Sequence, residues 1–252
     1  MIIDAHSHVS DSTYGNVELL IKELDKANVD KCIVVPGGMM DVRKMTLYVT
    51  GDLEPNETIP NNVVYNALKK YPDRLKGYVC VNPLDEDNAL KIFLEGVDNG
   101  CVGVKLSPMT HKFSFADEVL DEIAKECAKR NMPIYSHSLF NPGASTEKYG
   151  QLAKRHPDTN FILGHMGFGP ADVKAMDLAT ELPNFYLETS SGCLLTISEA
   201  ISKAGAEKII FGSEFPMNTP KTELVKIMEL NTDKKDLILY KNIQNLVPSL
   251  KK

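Results

Sequence analysis

A (β/α)8 TIM barrel, a single α/β domain over residues 1–252, is the fold this sequence predicts. Three observations carry the prediction. Eight short apolar runs alternate with amphipathic segments of helical spacing. The apolar runs are near-continuous, as strands buried on both faces of a parallel sheet should be. A chain of 252 residues is also of ordinary size for such a barrel. An open doubly wound sheet is the competing arrangement, but no glycine-rich phosphate turn follows any strand where that fold would place one.

The elements follow in order. Residues 2–8, Ile-Ile-Asp-Ala-His-Ser-His, open the chain as a strand. Leu19, Leu20, Ile21, Leu24 and Ala27 recur at helical spacing and predict a helix over 16–29. Residues 31–36 form the second strand, closed by Pro36-Gly37-Gly38. The segment 38–61 is rich in Gly, Asp, Asn and Pro and reads as a long loop of the lid or binding type. Helical pattern returns over 62–71. Strands are then predicted over 76–82, 102–106, 132–138, 160–165, 184–189 and 208–212. The helices between and after them cover 85–98, 116–130, 146–155, 170–181, 195–203 and 222–230. The one at 85 starts on an acidic cap and the one at 170 has proline in its first turn. A last helix spans 236–246, with Pro248 beyond it.

Composition bounds the function. A formal charge of −6 argues against nucleic-acid and anionic-membrane partners, which require a basic face. The five cysteines are widely spaced, with no Cys-x-x-Cys, and read as reduced thiols of a cytoplasmic protein. No signal peptide is read at the N-terminus, and no apolar run reaches the ~18 residues that span a bilayer. With no tryptophan and 7% aromatics, the expected partner is a small polar or carboxylated molecule. Self-association into a homo-oligomer is compatible with all of this.

The chemistry of a barrel sits at the C-terminal ends of its strands, and those positions are unusually polar here. His6 and His8 occupy i and i+2 of the first strand, so both point one way with Ser7 opposite. Two imidazoles so placed make half of a metal site. His137 follows strand five and His165 strand six. Lys105 interrupts the apolar strand four, and Glu214 lies just past strand eight. Each has a plain alternative. His137 alone fits a hydrogen-bonded core histidine, and His165 a turn residue. Lys105 fits a salt bridge to Glu188, and Glu214 a helix cap. Yet unrelated causes would have to place all six at one end of one barrel. His111, in the loop after strand four, is on the correct side to touch substrate. His156 is on the opposite face and reads as structural or solvated.

The stretches Ile-Ile-Asp-Ala-His6-Ser-His8, Gly-Val-Lys105-Leu, Pro-Ile-Tyr-Ser-His137, Ile-Leu-Gly-His165-Met-Gly and Ile-Ile-Phe-Gly-Ser-Glu214-Phe-Pro resemble the amidohydrolase superfamily. Within it they resemble the amidohydrolase 2 branch, which includes aminocarboxymuconate-semialdehyde decarboxylase. The likeness runs from residue 2 to about 247. It implies a divalent metal, zinc before manganese, held by His6, His8, His137 and the strand-eight acid, with His165 beside it. One metal per chain is the favoured reading. A carbamylated Lys105 bridging two metals is the binuclear alternative, and in the mononuclear case Lys105 holds a substrate oxygen. The chain departs from the pattern at Glu214, where the family has aspartate. One extra methylene demands a rearranged backbone or altered coordination, because ligand distances tolerate only ~0.2 Å.

The mechanism expected on that basis is hydrolysis of an amide, lactone or related bond. The metal lowers the pKa of bound water towards roughly 7, Glu214 acts as general base and His165 stabilises the oxyanion. Asp4 is the expected acceptor that orients a ligand imidazole. The loops 38–61 and 139–145 are expected to cover the site, with Arg43 matched to a substrate carboxylate. By the same resemblance, non-oxidative decarboxylation of an unsaturated or aromatic acid is the alternative. A non-catalytic barrel that only binds metal or ligand is the third.

Overall fold

Each apolar run becomes a strand of one parallel sheet. The computed structural model describes residues 1–251. Its elements are β1 (Ile3–Val9), α1 (Val17–Lys26), β2 (Lys31–Pro36), α2 (Met45–Thr50), α3 (Asn61–Lys70), β3 (Leu75–Val81), α4 (Glu86–Asp98), β4 (Gly103–Leu106), α5 (Pro108–His111) and α6 (Val119–Arg130). They continue with β5 (Ile134–Ser136), α7 (Thr146–Arg155), β6 (Phe161–Leu163), α8 (Val173–Glu181), β7 (Phe185–Glu188), α9 (Leu194–Ala204), β8 (Ile209–Ile210), α10 (Pro220–Glu229) and α11 (Asn242–Leu246). The strands lie in sequence order, each parallel to the next.

The ring closes between β1 and the residues after β8. Ala5 N–H donates to the Phe211 carbonyl at 2.9 Å, Glu214 N–H to His6 at 2.7 Å and His8 N–H to Phe215 at 2.6 Å. β8 is short because its continuation, 211–215, bends to present Glu214 and still pairs with β1 through Ser7 and Phe215. The (β/α)8 expectation therefore holds.

Two apolar layers hold the barrel. Ile3, Ala5, Ile33, Val35, Tyr78, Tyr135, Ile162 and Ile210 fill the interior, and Ile243, Leu246, Val247 and Leu250 plug its lower end. The outer faces of the strands pack on the helices through a larger cluster that includes Val34, Val79, Leu163 and Leu187. This two-sided burial is why the strand sequences do not alternate. No helix among the described residues is long and apolar enough to cross a membrane.

Two stretches differ from expectation. The segment 38–61 is not irregular throughout. Asp41 accepts from Arg43 N–H and starts a 3-10 turn, Val42–Lys44, that leads into α2, which ends on Gly51 at φ 79°. The loop after β4 coils into α5, with Pro108 in its first turn. Both are short, and their hydrophobic residues serve a cavity instead of a repeating helical face, so periodicity does not reveal them.

Candidate active site

The floor of the site is His6, which is fully buried on β1. Strict alternation would put Asp4, His6 and His8 on one face. The register of β1 against β2 shifts between Asp4 and Ser7, where three steps of β1 oppose two of β2. Such a bulge re-aims side chains. Ala5 stays in the interior, His6 and His8 turn inward with rings 4.9 Å apart, and Asp4 and Ser7 share the other face.

Asp4 therefore does not orient an imidazole, as expected from sequence. Its carboxylate accepts from Ser213 N–H (2.9 Å), Ser213 Oγ (2.5 Å), Ser7 Oγ (3.0 Å) and His6 N–H (3.1 Å). It ties the backbone of β1 to that of 213. Asp4→Ala removes the shared acceptor of four buried donors and is expected to lower unfolding stability by about 3 kcal/mol or more. Urea denaturation measures this directly.

The remaining strand ends bring His137, His165 and Glu214 around His6. The His6 and His165 rings lie 5.4 Å apart, and those of His137 and His165 6.2 Å. His165 Nε2 is 3.5 Å from Glu214 Oε1, and Ser191 Oγ donates to Glu214 Oε2 at 2.7 Å. His165, Ser191 and Glu214 all sit at positive φ, 62°, 58° and 58°. Non-glycine residues held there cost roughly 1–3 kcal/mol each, and such strain clusters at functional sites.

One residue central to the site was not among those expected to serve it. Glu188, at the end of β7, is fully buried and accepts from Tyr135 Oη (2.7 Å), Ser190 Oγ (2.8 Å) and Ser190 N–H (2.5 Å). Its carboxylate and the ring nitrogens of His6 and His165 lie within 4.8 Å of one another. The signal was present: a lone acid ending an apolar strand, the same oddity that marked Lys105. No Lys105–Glu188 ion pair forms among the described residues.

Above this floor opens a cavity of about 300 Å³ whose lining includes His8, Lys105, His137, His165 and Glu214. Its wall is otherwise largely apolar. The 38–61 segment contributes Met39, Met40, Val42 and Met45, and Leu139 comes from the 139–145 loop. Met109, Phe168 and Met217 complete it. Lys105 is 2% exposed with Nζ 4.4 Å over the Tyr135 ring. Burial draws its pKa down to about 8.

Arg43 and His111 stand apart from this group. Arg43 makes a two-pronged pair with Asp41 at 2.8 Å and stacks over Tyr14, so its fork is already filled. His111 is buried on α5 and does not line the cavity, whereas Met109 of the same helix does. His156 pairs with Asp121 at 2.5 Å, away from the site.

The arrangement can hold a divalent cation. His6 Nε2 and His137 Nε2 are buried with no hydrogen-bond partner among the described residues. Burial, then the Lys105 charge, holds His6 and His137 well below the usual histidine range and His8 at about 4. Neutral imidazoles with unused lone pairs are metal ligands in waiting. Burial pushes Glu214 up, but His165, Ser191, His8 and Lys105 outweigh it and leave the carboxyl below its ordinary value. Imidazole and carboxylate together suit zinc or manganese.

Known proteins agree with this architecture. The family described as Amidohydrolase, Amidohydro_2, matches residues 3–248. An uncharacterized TIM-barrel protein from Bordetella bronchiseptica superposes with a TM-score of 0.78 at 17% identity, covering 100% of this chain and 99% of that one. A probable 2-pyrone-4,6-dicarboxylic acid hydrolase from Acinetobacter baumannii, with citric acid bound, gives 0.72 at 18% identity and covers 98% and 99%. A dihydroxybenzoic acid decarboxylase from Polaromonas sp. JS666, with bound manganese and 2-nitroresorcinol, gives 0.70 at 17% and covers 100% and 97%. No curated protein matches the sequence.

Proposed function

The chain belongs to the amidohydrolase family, and from that premise we propose that it is a metal-dependent enzyme that decarboxylates a small unsaturated or aromatic carboxylic acid. The observation that carries this reading is the cavity wall. Among the described residues, Lys105 is the one lysine or arginine facing a space whose wall includes five methionines, Val42, Leu139 and Phe168. Such a cavity suits a substrate with one carboxylate and an apolar body. Its apolar wall favours a reaction that disperses the carboxylate charge.

His6, His8, His137 and Glu214 would hold the metal, which when bound supplies Lewis acidity towards a substrate oxygen. Glu188 is a poorer candidate ligand, because donors from Tyr135 and Ser190 already take three of its roughly four acceptor sites, two of them on Oε2. Lys105 anchors the carboxylate by a charge-assisted hydrogen bond. His165, paired with Glu214, delivers a proton to the carbon that carries the carboxylate. The electron pair of the breaking carbon–carbon bond stays on that carbon as carbon dioxide leaves, so charge and atoms balance.

Hydrolysis is the second reading, favoured by the same His165–Glu214 pair, which could take a proton from water. Carboxyl-13C hydroxybenzoates and enoic acids, set beside lactones and amides, separate the two. Labelled carbon dioxide supports decarboxylation. Ring opening or amide cleavage without carbon dioxide sinks it in favour of hydrolysis.

Lys105 also predicts a pH dependence. Its cationic form is present below about 8 and lost above it. KM is expected to rise about tenfold per pH unit above that point. In a Lys105→Met variant KM is expected to be high and flat across the same range.

A further inference from the structure

Glu188, Tyr135 and Ser190 are left without a role in the chemistry above, although all three are fully buried beneath it. Their hydrogen-bond directions can be worked out from valence alone. An ionised carboxylate only accepts, so the single hydroxyl hydrogen of Tyr135 goes to Glu188 Oε2 at 2.7 Å. Tyr135 Oη also lies 2.8 Å from His6 Nδ1. Its hydrogen is spent, so in that contact the oxygen must accept and His6 Nδ1 must carry the proton. Ser190 repeats the arrangement. Its hydroxyl donates to the same Oε2 at 2.8 Å and lies 2.9 Å from His165 Nδ1, so His165 Nδ1 is protonated too.

We propose that Glu188 is a positioning residue that fixes the tautomers of His6 and His165 through two hydroxyl relays, Tyr135 for one and Ser190 for the other. Both Nε2 lone pairs then face inward. On His6 that atom is the buried nitrogen with no partner among the described residues, free to bind a metal. On His165 it is the atom 3.5 Å from Glu214, free to take up and deliver a proton. One carboxylate thus prepares a ligand and a proton carrier at once.

Two further observations support the relay. The backbone N–H groups of Ser190 (2.5 Å) and His165 (3.4 Å) also point at Glu188, as they would at an anion. Two glycines make room for the assembly. A Cβ on Gly164 would overlap the Tyr135 hydroxyl, and one on Gly212 would overlap the Glu188 carboxylate.

The competing assignment is that Glu188 itself ligates, since its oxygens and the nitrogens of His6 and His165 are mutually close enough to surround an ion. Long-range 1H–15N NMR of the full-length chain labelled at histidine tests this, with and without zinc. The parent is expected to show Nδ1–H for His6 and His165 before zinc is added. Tyr135→Phe is expected to release His6 alone into a tautomer mixture, and Ser190→Ala to release His165 alone. Glu188→Gln should release both.

Zinc titration is a second readout, with Tyr135→Phe expected to weaken binding by about 10–100-fold, as loss of an orienting partner does. A ring in the parent that carries Nε2–H with a bare Nδ1, His6 or His165, overturns the proposal. So does loss of zinc in Glu188→Gln with tautomers and affinity unchanged in the two hydroxyl variants, because Glu188 would then be a ligand. Should Glu188→Gln fail to fold, the two hydroxyl variants decide the matter between them. Neither readout needs a substrate, so the result stands whichever reaction the enzyme performs.

Discussion

Alanine at position 6 is expected to strip the metal from the protein and to lower kcat by roughly 10³-fold or more, with the barrel still folded. His6 is fully buried, its Nε2 has no hydrogen-bond partner among the described residues, and its ring lies within 5.4 Å of both His8 and His165. A nitrogen in that state is a standing cost to the fold unless something binds it. Losing a partner that merely orients a ligand weakens metal binding by about 10–100-fold, so losing the ligand itself should cost more. The fold should survive because the sheet hydrogen bonds at position 6 are made by backbone and Tyr135 still donates to Glu188. Plasma mass spectrometry of metal per chain, turnover and far-ultraviolet circular dichroism check the three parts. Parent-like metal content and turnover in the variant would end the metal-centre reading.

Much of this centre is legible in the sequence, and what is not has identifiable physical causes. The parallel barrel shows because strands buried on both faces must be apolar throughout, and Lys105 shows because a charge in such a strand is anomalous. Glu188 is equally anomalous, but a glutamate ending a strand also passes for a turn residue. Only the three-dimensional convergence of Tyr135 and Ser190 on it reveals a use. The face of Asp4 was hidden by the bulge in β1, since alternation is the default until a register shift breaks it. Arg43 illustrates the opposite error. Its guanidinium fits a substrate carboxylate in principle, but Asp41, two residues earlier, fills the fork at 2.8 Å. The helices α2 and α5 escaped because each is shorter than two turns, below the length at which a helical period can be told from chance.

The second large effect concerns Glu214, the position where aspartate would match the family resemblance. The backbone here is at φ 58°, and the longer side chain spans from that turn to His165 Nε2 at 3.5 Å and Ser191 Oγ at 2.7 Å. The extra methylene is therefore used, because from that turn it carries the carboxylate to both partners. Glu214→Gln keeps the length and removes the charge. It is expected to lower kcat by about 10²–10⁴-fold, the range of a lost acid–base partner, and to lower metal content as well, because the anionic ligand is lost. Glu214→Asp keeps the charge but retracts it by roughly a bond length, which gives up contact with both His165 and Ser191. Restoring the family's residue should therefore impair this enzyme, with kcat down about tenfold or more. A Glu214→Asp variant as active as the parent would show that the carboxylate works from a different backbone position, and that the pairing with His165 is incidental to turnover.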